Sequence, residues 1–131
     1  MQFNHPDPYA AVEYPMTAEW SAAVAFVPGH DLAVVASNSY LYVVNPVKKE
    51  KAQRVKTGLR VVTGVAASPD GRTVLAGGKP GSVEVYDVAS RAKATGYDFG
   101  IGGVHGLAFA PDGLTFAVAG DKGLLLCDAP G

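Results

Sequence analysis

A three-fold internal repeat constrains this sequence more than any other feature. Pro28 precedes Gly29, and the equivalent position is occupied 41 residues later by Pro69 and a further 42 residues later by Pro111. Each proline follows a short apolar segment without charged residues and precedes a second apolar run. Self-similarity at such a period indicates stacked supersecondary units, each of which buries its faces against its neighbours. We therefore interpret the chain as three copies of one unit.

Each unit is predicted to contain four short β-strands joined by tight turns. The second and third copies carry Pro-Asp-Gly at residues 69–71 and 111–113. Proline presets φ, aspartate caps the turn and glycine supplies the positive φ that a short hairpin needs. The register of the copies predicts strands near 9–16, 22–27, 32–37, 40–45, 52–57, 62–68, 73–77, 82–87, 94–99, 104–110, 115–119 and 123–128.

The segment before each turn is the candidate core strand of its unit. Residues 23–27, 64–68 and 106–110 are small or apolar and carry no charge, which is typical of strands buried on both faces. We therefore expect their alternate side chains to be among the most buried of the protein: Val24, Phe26, Val65, Ala67, Leu107 and Phe109.

The composition agrees with an all-β chain and excludes several classes of protein. The length of 131 residues suits one domain, and 16 glycines and 9 prolines with only 18% charged residues argue against a disordered chain, a coiled coil or a helical bundle. The net charge of −1 provides no general attraction to nucleic acid or to anionic membranes. The basic stretch at residues 48–60 lacks interleaved aromatic residues and is interpreted as an edge strand protected by lysines. We expect neither a nucleic acid nor a membrane as partner.

Cysteine usage and the N-terminal residues predict a cytoplasmic protein. Cys127 is the single cysteine, so an intrachain disulfide is impossible. Residues 1–7 lack the basic and apolar regions of a signal peptide, and no apolar run reaches the roughly 18 residues needed to span a bilayer.

The repeats resemble the WD40 repeat of β-propellers. Residues 68–78 and 81–87 resemble its pattern of a turn followed by a strand that ends in Trp-Asp. The position of the family's tryptophan is occupied by Val44, Tyr86 or Cys127. The resemblance implies an all-β fold, a partial β-propeller of three four-stranded antiparallel blades. We expect residues 1–131 to form this single partial propeller, with units at about 5–46, 47–88 and 89–129.

A second family is similar over one segment. Residues 102–106, with His105 before Gly106, also resemble the YVTN-type propeller repeat, which implies the same blade.

The resemblance to WD40 implies a non-catalytic scaffold that binds a protein or peptide, with no cofactor. The histidines at positions 5, 30 and 105 lack metal-ligand spacing, so no metal site is predicted. Asp70 and Asp112 occupy equivalent turns and are not expected to be catalytic. His105, at a strand start, and Asp121 are the candidate binding residues near the rim or the central channel. The alternatives are a fragment of a YVTN-like propeller enzyme or ligand-binding protein, and an incomplete reading frame without independent function.

Three units are too few for a closed ring, because propellers have four to eight blades. Residues 9–16 resemble an outermost strand whose own blade is absent, while the third blade ends after its third strand. We therefore predict that the chain closes by oligomerisation or association, with a head-to-tail dimer of six blades as the first model. The competing outcomes are an open monomer and docking onto a different propeller fragment. The predicted self-association edge contains Val12, Tyr14, Met16, Leu124 and Leu126.

Overall fold

The protein folds into three antiparallel sheets. A computed structural model describes residues 23–48 and 51–130, and within them the chain has eleven β-strands and no helix. Each sheet is a meander in which every strand pairs with the next one along the chain. Blade 1 contains β1 (Ala23–Val27), β2 (Leu32–Ser37), β3 (Tyr40–Val44) and β4 (Gln53–Lys56). Blade 2 contains β5 (Val61–Ala67), β6 (Thr73–Lys79), β7 (Ser82–Asp87) and β8 (Lys93–Asp98), and blade 3 contains β9 (Val104–Phe109), β10 (Thr115–Gly120) and β11 (Gly123–Asp128).

This architecture confirms the all-β, partial-propeller prediction. The three sheets formed by residues 23–48 and 51–130 do not close into a ring. Eleven of the predicted strands lie where the repeat register placed them, with ends that differ by one or two residues. The predicted strand at 9–16 lies outside the described residues. The division of the chain into units stays a prediction.

The repeated turns have the structural role that their residue types predict. Asp70 Oδ1 accepts hydrogen bonds from Ser68 Oγ at 2.6 Å and from the Arg72 amide at 3.0 Å, and Gly71 has a φ of 75°. In the next blade, Asp112 Oδ1 accepts from the Leu114 amide at 2.9 Å. The Ser68 hydroxyl and the Arg72 amide hold the pKa of Asp70 below its ordinary value, because both stabilise the carboxylate. Each aspartate thus caps its own hairpin.

Two apolar cores lie between neighbouring blades, where sheet faces pack against each other. The core between blades 1 and 2 contains Val27, Val34, Ala36, Leu41, Leu59, Val62, Val65, Val74, Ala76, Tyr86 and Val88. The core between blades 2 and 3 contains Leu75, Val83, Val85, Ile101, Val104, Phe116 and Val118. Blade 2 therefore contributes to both cores, while blades 1 and 3 each contribute one face.

The predicted core strands are buried to different degrees. Val65 is buried as expected, whereas Ala67, Leu107 and Phe109 are half-buried. The prediction is wrong for Val24 and Phe26, whose side chains are mostly exposed. They point away from blade 2, and no described sheet packs against that side of blade 1. Repeat equivalence predicted their burial because it assumes a neighbouring blade on both sides.

A buried carboxylate ties blade 2 to the linker that enters it from blade 1. The Glu84 side chain is only 6% exposed. Its Oε1 accepts hydrogen bonds from the Tyr86 hydroxyl at 2.6 Å and from the Gly58 amide at 3.0 Å, and Lys93 Nζ lies 3.4 Å from its Oε2. Burial raises the pKa of Glu84, but these three donors together outweigh burial and leave the pKa below its ordinary value. Burial and the neighbouring carboxylate also raise the pKa of Tyr86, so its hydroxyl remains a donor.

Phe116 is the largest fully buried side chain and should dominate the core between blades 2 and 3. We expect Phe116→Ala to lower the free energy of unfolding by about 3–5 kcal/mol, because it removes a buried ring and leaves a cavity. Leu114→Ala is the matched control, since Leu114 is exposed in the adjacent turn and should change stability by about 0.5 kcal/mol at most. Urea denaturation measures both values. Equal losses in the two variants would contradict the placement of Phe116.

Glu84 should make the stability of the protein depend on pH. Its pKa is lower in the folded than in the unfolded chain, so its contribution is complete above the ordinary value of 4.5 and is lost as the pH falls through the folded value. Glu84→Gln keeps an acceptor for Tyr86 and Gly58 but cannot titrate. We therefore expect the wild type to lose more stability than Glu84→Gln between pH 6 and about pH 3. Urea denaturation at several pH values measures this difference, and parallel pH profiles would contradict it.

Candidate functional site

The structure brings the two predicted binding residues, His105 and Asp121, together. His105 is the second residue of β9, and Asp121 lies in the turn between β10 and β11. Nε2 of His105 makes a hydrogen bond with Oδ1 of Asp121, and both side chains are more than half exposed. A pair separated by 16 residues in sequence therefore forms one accessible polar group.

The loop before blade 3 holds Asp121 in place. Asp121 Oδ2 accepts a hydrogen bond from the Gly103 amide at 2.8 Å, and the Asp121 amide donates to the Gly103 carbonyl at 3.0 Å. Gly102 has a φ of 76°, and a Cβ atom added there would lie 2.9 Å from Asp121 Oδ2. The chain can therefore approach the carboxylate this closely because residue 102 is glycine.

Two residues of blade 2 extend this polar group. Lys79 ends β6 beside Gly103, and its ammonium charge acts on Asp121. The Thr63 hydroxyl of β5 donates a hydrogen bond to the Val104 carbonyl. The start of β5 and the end of β6 lie at one edge of blade 2, because Val61 pairs with Lys79. We call Thr63, Lys79, Gly103, His105 and Asp121 the polar rim.

The electrostatics of the polar rim favour an ionised carboxylate. The hydrogen bond from His105 lowers the pKa of Asp121 most, followed by the Gly103 amide and the charge of Lys79, and these effects exceed the opposing effect of partial desolvation. The rim thus offers a carboxylate, an imidazole and an ammonium group to a partner within one small area. Such groups suit hydrogen bonding to peptide groups and to charged side chains.

The described part of the self-association edge lies on β11. Leu124 and Leu126 share one face of this strand and pair in register with Ala119 and Ala117 of β10. Both leucine side chains are exposed. Within the described residues β11 pairs with β10 alone, so its outer edge is open. The predicted partners of this edge, Val12, Tyr14 and Met16, lie outside the described residues.

A comparison with protein families identifies the repeat. Residues 53–87 match the model of the family described as WD domain, G-beta repeat. Residues 53–87 therefore contain a WD40 repeat. The matched segment begins at β4 and ends with β7, so it covers the linker between blades and the first three strands of blade 2. A search of curated proteins finds no significant match.

The WD40 repeat of blade 2 contains a polar cluster that sequence reasoning missed. Glu84 and Tyr86 occupy β7, and their partners Gly58 and Lys93 lie in the linker and in β8. The available signal was a carboxylate between Val83 and Val85, which are both buried. A charged residue at such a position needs partners, because an unpaired buried charge is strongly destabilising.

A small cavity lies between blades 1 and 2. Its lining is mostly apolar but includes Asp87 and Arg91, and its volume is about 30 Å³. This leaves room for about two water molecules. The cavity is therefore a packing gap between sheet faces.

Residues 23–48 and 51–130 contain no group of three or more His, Cys, Asp or Glu side chains arranged to hold a metal ion. In the same part of the chain, no helix has the length and apolarity to cross a membrane. Cys127 is half-buried, and burial together with the charge of Asp128 raises the pKa of its thiol, which disfavours the reactive thiolate.

Gly102 should be essential for the geometry of the polar rim. Gly100 and Gly102 both have a positive φ, so alanine at either position introduces strain of about 1–2 kcal/mol. Only at residue 102 would the new Cβ also contact Asp121, since nothing lies within 4 Å at residue 100. We expect Gly102→Ala to lower the free energy of unfolding more than Gly100→Ala does, as measured by urea denaturation. Equal losses would show that the contact with Asp121 does not constrain the loop.

Proposed function

We propose that this chain is a non-catalytic interaction scaffold that binds a protein or peptide partner at the polar rim. The observation that carries the proposal is the WD40 match over strands that form a regular blade, since such repeats generally serve as interaction scaffolds. The rim lies where blades 2 and 3 meet and combines an exposed His–Asp pair with Lys79. Rigid sheets below it hold these groups in place, which lowers the entropy lost on binding.

The proposal includes self-association into a head-to-tail dimer. Three blades do not complete a propeller, and two copies would supply six. An open edge on β11 supports this, because an unpaired strand edge is a template for another chain. Residues 9–16 are the strand that we propose for this edge.

A second candidate function is small-ligand binding in the manner of YVTN-like propellers. The observation that favours it is the His-Gly pair at residues 105–106, which lies in the polar rim. Isothermal titration of the purified chain against metals and small metabolites distinguishes the two candidates. Saturable heat with a metabolite that disappears in His105→Ala would favour the ligand-binding candidate.

The scaffold proposal is tested by affinity capture with the whole chain as bait. We expect a specific set of proteins to be retained by the wild type and depleted at least about tenfold by the double variant His105→Ala, Asp121→Asn, because the rim loses its imidazole and its negative charge. The amide introduced by Asp121→Asn keeps an oxygen that can accept the Gly103 amide hydrogen bond, so the loop should remain folded. Quantitative mass spectrometry measures the depletion.

Arg72→Gln provides the control for this experiment. Arg72 is exposed and lies in the turn before β6, at the opposite edge of blade 2 from Lys79. This variant should retain the same proteins as the wild type. The strongest retained protein is then purified, and its affinity for each variant is measured by titration. Equal affinities for the wild type and the rim variant would contradict binding at the polar rim.

A further inference from the structure

Each end of the row of blades presents two large exposed apolar side chains on one sheet face. On blade 1 the side chains of Val24 and Phe26 are 63% and 73% exposed and point away from blade 2. On blade 3 those of Leu124 and Leu126 are 66% and 76% exposed and point away from blade 2 as well. We call these surfaces the first end face and the last end face. Large side chains so exposed on one sheet face are characteristic of an interaction surface.

The leucines of the last end face occupy repeat positions whose equivalents in blades 1 and 2 pack against the following blade. The third strands of the three repeats are aligned by treating Asn45, Asp87 and Asp128 as equivalent positions. Leu124 then corresponds to Val83 in blade 2 and Leu41 in blade 1, and both of these side chains are buried. Val83 belongs to the core shared with blade 3, and Leu41 to the core shared with blade 2. The same alignment places Leu126 with Val85 of blade 2 and Val43 of blade 1.

Val24 and Phe26 of the first end face occupy repeat positions whose equivalents in blades 2 and 3 pack against the preceding blade. Alignment on Pro28, Pro69 and Pro111 matches Val24 to Val65 and Leu107, and Phe26 to Ala67 and Phe109. Val65 and Ala67 pack in the core shared with blade 1, and Leu107 and Phe109 in the core shared with blade 2. The two end faces are therefore the two complementary halves of one type of interface, which the chain already forms twice internally.

We propose that a second copy of this chain docks its first end face onto the last end face of the first copy. The proposal rests on the self-association proposed above and assigns it to sheet faces that continue the established blade-to-blade packing. Small side chains support the fit. Ala36 of blade 1 is buried in the core that also contains Val65, and its equivalent on the last end face is Ala119, which would face Val24 of the second copy.

Charge favours this head-to-tail arrangement over pairing of two first end faces. Arg54 and Lys56 lie on the first end face, in register with Tyr42 and Tyr40. The Arg54 guanidinium lies 4.5 Å from the centre of the Tyr40 ring. Two first end faces in contact would bring four cations together, whereas the last end face contributes none from its paired strand positions on β10 and β11. Like charges placed opposite each other destabilise a sheet interface.

Two charge substitutions and their mixture test the proposal on the full chain. Light scattering after size exclusion should give the wild type a mass twice 13.5 kDa at high micromolar concentration. Phe26→Asp and Leu126→Asp should each weaken self-association by at least about 30-fold, because each buries a carboxylate in an apolar interface. A mixture of the two variants retains one intact interface, between the Phe26 face of one and the Leu126 face of the other. It should therefore form a heterodimer more tightly than either variant associates alone.

The controls separate docking from misfolding and from the scaffold proposal. Leu114→Asp introduces a carboxylate at an exposed turn position outside both end faces and should associate like the wild type. Circular dichroism of each variant should retain the β-sheet spectrum. A monomeric wild type at high micromolar concentration would overturn the proposal. So would a loss of association in the Phe26→Asp variant that is not restored when this variant is mixed with Leu126→Asp. Capture that depends on the polar rim would in either case leave the scaffold proposal intact, because His105 and Asp121 lie outside the end faces.

Discussion

The fold depends on the packing of apolar sheet faces between neighbouring blades. A meander of four short strands satisfies its internal backbone hydrogen bonds, but it leaves two broad faces that must be covered. Blade 2 is covered on both sides and contains the fully buried Leu75 and Val83. Among the described sheets, blades 1 and 3 each pack against one neighbour, and large apolar side chains on their other faces, such as Phe26 and Leu126, are exposed. The packing that stabilises the chain and the self-association that we propose thus use the same kind of contact.

Polar residues have a secondary role, which is to hold the linkers between the sheets. Glu84 accepts a hydrogen bond from the Gly58 amide in the linker before blade 2, and Asp121 accepts one from the Gly103 amide before blade 3. Glu84 is buried and fully partnered, which suits a structural contact. Asp121 is exposed and shares its second oxygen with His105, which leaves the pair accessible to a partner. Both carboxylates thus accept a hydrogen bond from a linker amide, and of the two it is Asp121 that also belongs to an exposed polar pair.

The strand pattern was predictable because local residues determine it. Asp70 and Asp112 cap their own hairpins, so the Pro-Asp-Gly positions predict where strands end and begin. The His105–Asp121 pair was partly predictable, since both residues were candidates, but their contact depends on the fold of the loop before blade 3. Glu84 was missed because its partners Gly58, Tyr86 and Lys93 come from three separate elements.

The period, the turns, the strand positions and the WD40-like pattern of residues 53–87 follow from the sequence alone, because each is encoded within one repeat. Which apolar residues are covered depends instead on how the blades pack against each other. Val24, Val65 and Leu107 occupy equivalent positions, yet Val24 is exposed and Val65 is buried. The burial of a side chain depends on the adjacent blade as much as on the residue itself. Blade 1 packs against one described blade, whereas blade 2 packs against two.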